Sequence, residues 1–204
     1  MDERYLQGRH FLKSNWHLVK EIQSDQSRGL PMPPQELPPE EDDSVVALPP
    51  VDDVYLGKSA GAAHDAGAAG GASAAPVLHS LLKSRKSRRA FLAEPLSLQE
   101  LSYLLWSCEG VRENKGKFSF RTTPSGGARH PLDVYLFARQ IEGLKPGLYR
   151  YLPLEHSLVL EREGDDSAAL DDALMSQLRK APCVVLWAAV PYRSEWRYGK
   201  AADK

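Results

Sequence analysis

With only two cysteines in 204 residues, the chain cannot build a disulfide scaffold or a thiolate metal cage. No apolar run approaches the roughly 18 residues that would span a bilayer. No charged-then-apolar leader opens the chain, so no membrane association is expected and the expected compartment is the cytoplasm. Charge of one sign is missing as well: 26 Lys and Arg against 27 Asp and Glu leave a formal net charge of −1. That balance argues against a general nucleic-acid binder, whose basic excess would show in the total. There are no internal repeats, no phosphate loop ending in Lys-Ser/Thr, no Rossmann glycine fingerprint and no supported Ser/His/Asp or Cys/His set. What is present, 42% hydrophobic and 26% charged residues, matches a folded globular protein and excludes a wholly disordered one.

Composition is uneven along the chain. Phe11, Leu12, Trp16, Val19 and Ile22 recur at near-helical spacing, and then a stretch dense in proline (Pro31, Pro33, Pro34, Pro38, Pro39, Pro49, Pro50) should be extended or polyproline-like. It either wraps a folded surface or hangs in solvent. Together these make an expected N-terminal unit over 1–58. Residues 59–75 are nearly all alanine and glycine, the composition of a flexible linker. Order is expected over 76–204. A short apolar stripe, Val77, Leu78, Leu81 and Leu82, leads into a basic run. Ser97 and Glu100 form a capping-box pattern ahead of Leu98, Leu101, Leu104, Leu105 and Cys108, and Gly110 stops that helix. Val134–Ala138 reads as a mostly buried strand, Leu148–Leu152 and His156–Glu161 as a hairpin, and Leu170, Leu174 and Leu178 as a third helix. Cys183–Val190 is almost wholly apolar, as a central strand buried on both faces would be. Cys108 and Cys183 read as small core residues. The class is α+β.

Three segments carry residue types suited to chemistry. Lys83–Arg89 holds five cations in seven residues. Arginine's planar fork suits phosphate oxygens, lysine adds a point charge and serine a short donor; a solvated helix end is the plain alternative, and nucleic-acid contact a weaker third. Thr122–Pro131 contains Pro124-Ser125-Gly126-Gly127. Its paired glycines admit close approach of a flat ligand, and its hydroxyl and backbone N–H groups can donate to ring heteroatoms, or it is a tight turn alone. His130 has no acidic or histidine partner at ligand spacing, which argues against a metal site. Finally, Tyr192, Trp196 and Tyr198 sit among Arg193, Glu195 and Arg197, either to stack on a planar ligand or to cover a core edge.

Taken in order, these segments resemble a known family. Arg85-Lys86-Ser87-Arg88-Arg89-Ala90-Phe91 is similar to the opening of the FMN-dependent nitroreductase fold, and the capped Leu98–Cys108 helix follows as it does there. Pro124-Ser125-Gly126-Gly127-Ala128-Arg129-His130-Pro131 resembles a variant found in the SagB/ThcOx-type branch, as do Phe11–Trp16 and Asp25–Gly29 near the N-terminus. The resemblance implies an antiparallel or mixed central sheet flanked by helices. It implies FMN as cofactor, with Arg85, Lys86, Ser87 and Arg89 on its phosphate and ribityl chain. Pro124, Ser125 and Gly126 would lie along the isoalloxazine, reached from the other subunit of a homodimer. It further implies a two-electron oxidoreductase acting on a small molecule or peptide; the branch includes azoline dehydrogenases. The family pattern continues beyond the apolar strand into a long central helix and further strands, whereas this sequence ends at Lys204 and has no Lys-Tyr dipeptide. The domain is therefore expected to be incomplete at its C-terminus, with a non-catalytic remnant or partner-binding module as the alternative.

Overall fold

Helix α1 (Leu98–Glu109) begins where the capping box predicts. The Ser97 hydroxyl accepts the Glu100 backbone N–H at 3.2 Å, and the Glu100 carboxylate accepts the Ser97 N–H at 3.1 Å, so two otherwise orphaned donors are satisfied. One face of α1 presents Leu101 and Leu105, both fully buried. The computed structural model describes residues 24–51 and 82–202. The predicted helix over Phe11–Ile22 and the Ala/Gly segment lie outside them.

Leu101 and Leu105 bury against an antiparallel five-stranded sheet. Its strands are β1 (Val45–Ala47), β4 (Leu132–Ala138), β5 (Gly147–Leu152), β6 (Ser157–Glu163) and β7 (Cys183–Ala189), in the order β1-β6-β5-β4-β7. Strands β2 (Val111–Asn114) and β3 (Ser119–Arg121) form a separate hairpin. Alternation supplies the core: Val134 and Leu136 of β4, Tyr149 and Tyr151 of β5 and Leu158 of β6 join the two leucines in one cluster. The predicted hairpin over Leu148–Glu161 is β5–β6, with Tyr151 opposite Leu158.

The proline-rich segment wraps the fold. Near its start, Gln26 N–H donates to the Trp196 carbonyl at 2.8 Å, and the Trp196 indole donates to the Leu30 carbonyl at 3.0 Å. Further on, Gln35 reaches the β2–β3 hairpin through Gly116, Glu36 accepts the Leu154 N–H, and Val45–Ala47 adds as an edge strand beside β6. Prolines confine such a segment to an edge, because each removes a donor from any ladder it enters.

Two elements differ from the sequence expectation. The apolar run 183–190 forms β7, but it is the edge strand of this sheet, not a central one, and Trp187 is 51% exposed. Strands β4 and β7 pair over seven residues, yet among the described residues nothing pairs with the far side of β7. Hydropathy reports that a strand is suited to burial; neighbours decide whether it is buried. Helix α2 (Ser167–Ala173) stops before Leu178. Met175 and Ser176 take left-handed backbone angles, and the Asp171 carboxylate accepts the Leu178 N–H at 2.9 Å. A side chain competing for a backbone donor ends the helix early, while Leu178 still reaches the core at 4% exposure.

Candidate functional site

Glu109 is the last residue of α1, where a carboxylate meets the negative end of the helix dipole. Three partners offset this. Arg121 of β3 donates to Oε1 at 3.2 Å, His130 Nδ1 lies 3.0 Å from the same oxygen, and the Thr123 hydroxyl donates to Oε2. Burial alone pushes the Glu109 carboxyl upward. The bonds to His130 and Thr123 and the charge of Arg121 overcome it and hold the group below its ordinary 4.5. Arg121 is itself nearly inaccessible, also bonding Ser119 Oγ and the Gln35 carbonyl. Its pKa is lowered by burial, against the pull of Glu109.

This hub grips both ends of the loop from Thr123 to His130. Within the loop, Gly127, Ala128 and His130 all have positive φ (58°, 54° and 45°). For the two residues that carry a Cβ such angles cost about 1–3 kcal/mol each, so they persist only where surroundings over-determine them. Here they do. His130 N–H donates to Ser125 Oγ at 2.8 Å, Arg129 Nε to the Gly127 carbonyl at 3.0 Å, and Arg193 to the His130 carbonyl at 3.1 Å. Arg193 is anchored in turn by a bidentate pair with Asp133 at 2.6 and 3.1 Å. The second ring nitrogen of His130 faces the Ser119 carbonyl at 3.1 Å.

Loop and hairpin together wall a cavity of about 860 Å³, within the size range of small-molecule sites. Strand alternation turns Ser119 and Arg121 inward and leaves Phe118 and Phe120 on the opposite face, edge to face at 5.5 Å. Both rings line the cavity, with Pro124, Ser125, Gly127, Ala128, Arg112, Arg129 and Arg197. Helix α3 (Tyr192–Tyr198) contributes the last of these; Arg197 stacks on Tyr198, whose ring lies beside Gly126. Arg129 is 6% exposed, with its guanidinium 5.3 Å over the Trp196 ring. Burial first, then Arg197, lowers its pKa. None of the lining residues is acidic.

The sequence-derived candidates fall into two groups. Pro124 and Ser125 line the cavity and Gly126 flanks it at the Tyr198 ring. Arg85, Lys86, Ser87 and Arg89 lie on an exposed, non-helical segment and do not line it. Of the aromatic cluster, Trp196 is buried beneath Arg129, whereas Tyr192 is exposed and donates to Asp25. His130 gains in space the acidic partner it lacks in sequence. Glu109, Arg121, Thr123, Phe118, Phe120 and Arg129 were not singled out individually. The usable signal was Glu109, an acid at a helix C-terminus that demands a cation. A second polar cluster joins Ser102, His156 and Tyr151, with Ser102 Oγ 2.8 Å from His156 Nε2 and Tyr151 OH 2.8 Å from Nδ1. It does not make a nucleophile: Ser102 is fully buried and donates to the Pro49 carbonyl at 2.6 Å, fastening the N-terminal segment. Cys108 and Cys183 are half-buried free thiols whose pKa burial raises, which leaves them unreactive.

Comparison with known proteins assigns this arrangement to a family. The profile described as "Nitroreductase family" matches residues 82–204. A protein of Methanocaldococcus jannaschii that carries the name nitroreductase is 36% identical over 124 residues; the match covers 60% of this chain and 61% of that protein, so the chain spans less than two thirds of its relative. Among solved structures, a protein of Ralstonia eutropha named as a nitroreductase aligns with a TM-score of 0.51 at 28% identity, covering 85% of this chain and 70% of that one. Another of Anabaena variabilis, named likewise, aligns with a TM-score of 0.57 at 22% identity, covering 95% and 34%; at that identity the likeness concerns the fold.

Proposed function

The chain belongs to the nitroreductase family, and on that premise we propose that it is a flavin-dependent oxidoreductase using FMN, of the SagB/ThcOx type, acting on a small molecule or peptide in the cytoplasm. The observation that carries the reading is the loop Thr123–His130, held in left-handed backbone angles by a buried charge hub and open to a large cavity. Strain maintained by that many contacts, beside a cavity, is the mark of a binding surface.

The residues fit a flavin mononucleotide. Pro124 and Ser125 line the cavity and Gly126 flanks it, with the Phe118 and Phe120 rings and the guanidinium groups of Arg129 and Arg197 around them, and an isoalloxazine could lie against them. Arg85, Lys86, Ser87 and Arg89 supply cations and a hydroxyl of the kind that grips a phosphate. When bound, the flavin supplies two-electron hydride chemistry; the protein supplies binding, orientation and electrostatics. In this chain Pro124, Ser125 and Gly126, on the loop tied to Glu109, would support the ring, and Arg85, Lys86, Ser87 and Arg89 would hold the phosphate and ribityl chain. Because the basic segment is exposed and does not line the cavity, a homodimer is the arrangement we favour, each copy's basic segment serving the loop of its partner. The division into an N-terminal unit over 1–58, a linker over 59–75 and a partial nitroreductase-like domain over 76–204 belongs to the same proposal.

One observation favours a second reading, that the fold serves assembly without catalysis: β7 is an apolar strand with one edge that nothing pairs among the described residues. The two separate experimentally. Purified full chain is expected to be yellow, to release FMN on denaturation at close to one per chain, and to be reduced by two electrons in anaerobic titration. A colourless protein that takes up no added FMN would overturn the enzyme reading and leave the assembly one.

A further inference from the structure

Just beyond β1 the N-terminal segment is fastened by a small polar cluster far from the Glu109 hub in sequence. The Leu48 N–H donates to the His156 carbonyl at 3.1 Å, and the Leu48 side chain joins the core cluster. The next carbonyl, of Pro49, lies 2.6 Å from Ser102 Oγ and 3.2 Å from His156 Nε2. His156 stands in the turn between β5 and β6 at φ 48°, its ring edge to face with Tyr151 at 5.8 Å. The ring is half-buried and lines a second cavity, of about 490 Å³, so protons from solvent can reach it.

Counting hydrogens fixes the direction of each bond. Tyr151 is 2% exposed, and burial pushes the pKa of its hydroxyl well up, so the hydroxyl keeps its proton. Among the described residues that hydroxyl bonds only His156 Nδ1, at 2.8 Å, so it donates and Nδ1 accepts. Nε2 therefore carries the ring's own proton and gives it to Ser102 Oγ at 2.8 Å, which leaves Ser102 to donate to Pro49. This one-way chain, from Tyr151 to His156 to Ser102 to the Pro49 carbonyl, exists only with a neutral ring. A proton on Nδ1 would turn two donors toward each other and strand the buried Tyr151 hydroxyl without an acceptor. Other charged groups do not compensate. Arg112 of β2 lines the same cavity and repels a second cation, Glu155 of the turn is exposed, and Glu36 is occupied by the Leu154 N–H. Cys108, Glu109 and Arg121 act on Tyr151. Burial accordingly lowers the His156 pKa from its ordinary 6.5, against the pull of the Pro49 carbonyl.

We propose that His156 is a proton-operated latch: neutral, it fastens Leu48 and Pro49 and with them β1; protonated, it releases that end of the segment and uncovers the edge of β6. The device is independent of the flavin reading. Its sign follows from linkage. A released segment lets His156 take up its proton near 6.5, before the docked form does, so fastening is complete above about 6.5 and is lost as pH falls below it. Glu36, on the same segment, works the other way. Burial raises its carboxyl pKa, so its protonation favours the docked segment as pH falls. Any acid release must therefore come from His156 against Glu36.

The test is hydrogen–deuterium exchange of the full chain between about pH 8 and pH 5, corrected for the intrinsic exchange rate. Opening of residues 45–50 is expected to rise roughly tenfold toward the acid end, while β4 stays protected. His156→Gln, which cannot take a proton, should remove that rise, and Glu36→Gln should keep it. A long-range proton–nitrogen spectrum of the unmodified chain supplies a check that no variant can spoil. It should show a neutral ring protonated at Nε2 with a midpoint below 6.5. An opening that does not change with pH, or a rise that persists in His156→Gln, would overturn the latch. So would a ring protonated at Nδ1, or a midpoint at or above 6.5, because either removes the donor chain on which the latch depends.

Discussion

The loop Thr123–His130 and the basic segment Arg85–Arg89 are built in opposite ways. The loop is tied at both ends to Glu109, stitched internally through Ser125 and Gly127, and anchored behind by the Arg193–Asp133 pair. The basic segment is exposed throughout, and its arginines and lysine have no ion-pair partner among the described residues. Under the proposed flavin reading the two would divide the work of binding: a pre-organised loop for the ring, and a segment that keeps its charges hydrated until a phosphate arrives.

The sharpest way to break this contrast is to cut the hub. Glu109→Ala leaves Arg121 buried without its counter-charge and His130 Nδ1 without its partner, which is expected to cost about 3–5 kcal/mol, a large part of the roughly 5–15 kcal/mol a domain possesses. Denaturant unfolding measures it, and Glu109→Gln should lose less because it keeps volume and a hydrogen-bonding oxygen. The carboxyl is held below its ordinary 4.5 in the folded chain. The unfolded chain therefore takes up the proton first as pH falls, and Glu109 contributes stability that is complete above about 4.5 and lost below it. Glu109→Gln should flatten that acid limb. A loss below about 0.5 kcal/mol for Glu109→Ala would place the hub with ordinary surface contacts.

Next in size is the other side of the comparison. Arg85→Ala and Arg89→Ala should leave the melting temperature where it was. On the proposed flavin reading each would remove a charge-assisted contact of about 1.5–3 kcal/mol from FMN, so FMN affinity should fall roughly ten- to a hundredfold. Riboflavin, lacking the phosphate, should bind as before. Equal losses for both ligands would take the segment away from the phosphate.

The smallest expected effect resolves the loop residue by residue. Gly127 stands at φ 58°, and a Cβ there would lie 2.5 Å from Arg197 Nε and 2.7 Å from the Tyr198 hydroxyl. Gly127→Ala should cost about 1–2 kcal/mol, the left-handed penalty for a residue with a side chain, and should push Arg197 and Tyr198 off the loop. At Gly126 a Cβ would meet only the Tyr198 ring at 3.5 Å, an ordinary contact. Gly126→Ala should therefore melt like the unmodified chain, and any loss of flavin affinity it causes reports the ligand and not the fold. A Gly126 variant that unfolds more readily than the Gly127 one would reverse the assignment.

Local rules were legible in the residues themselves. The Ser97/Glu100 capping box, the leucine spacing of α1 and the alternation of β5 and β6 depend on neighbours a few positions apart, and each folds as those spacings predict. The motifs Arg85–Arg89 and Pro124–Gly127 were likewise visible as residue types, and the second opens onto the cavity. The hub was not legible in that way. Glu109, Arg121 and His130 are 9 to 21 positions apart, with no periodicity to connect them, and only the β2–β3 hairpin brings Arg121 back to the end of α1. The same holds for Val45–Ala47, three ordinary residues that become a strand because β6 presents an open edge. It holds for β7, whose apolar sequence forecast burial on both faces while its place at the sheet edge left Trp187 half exposed. Sequence by itself determined the capped helix α1, the β5–β6 hairpin and which residues are equipped to hold an anion, because those properties are set within a few bonds of each residue. Tertiary structure decided which charges are buried together, which loop is held rigid and which apolar face stays uncovered, because desolvation and pairing are properties of neighbours that only the folded chain supplies.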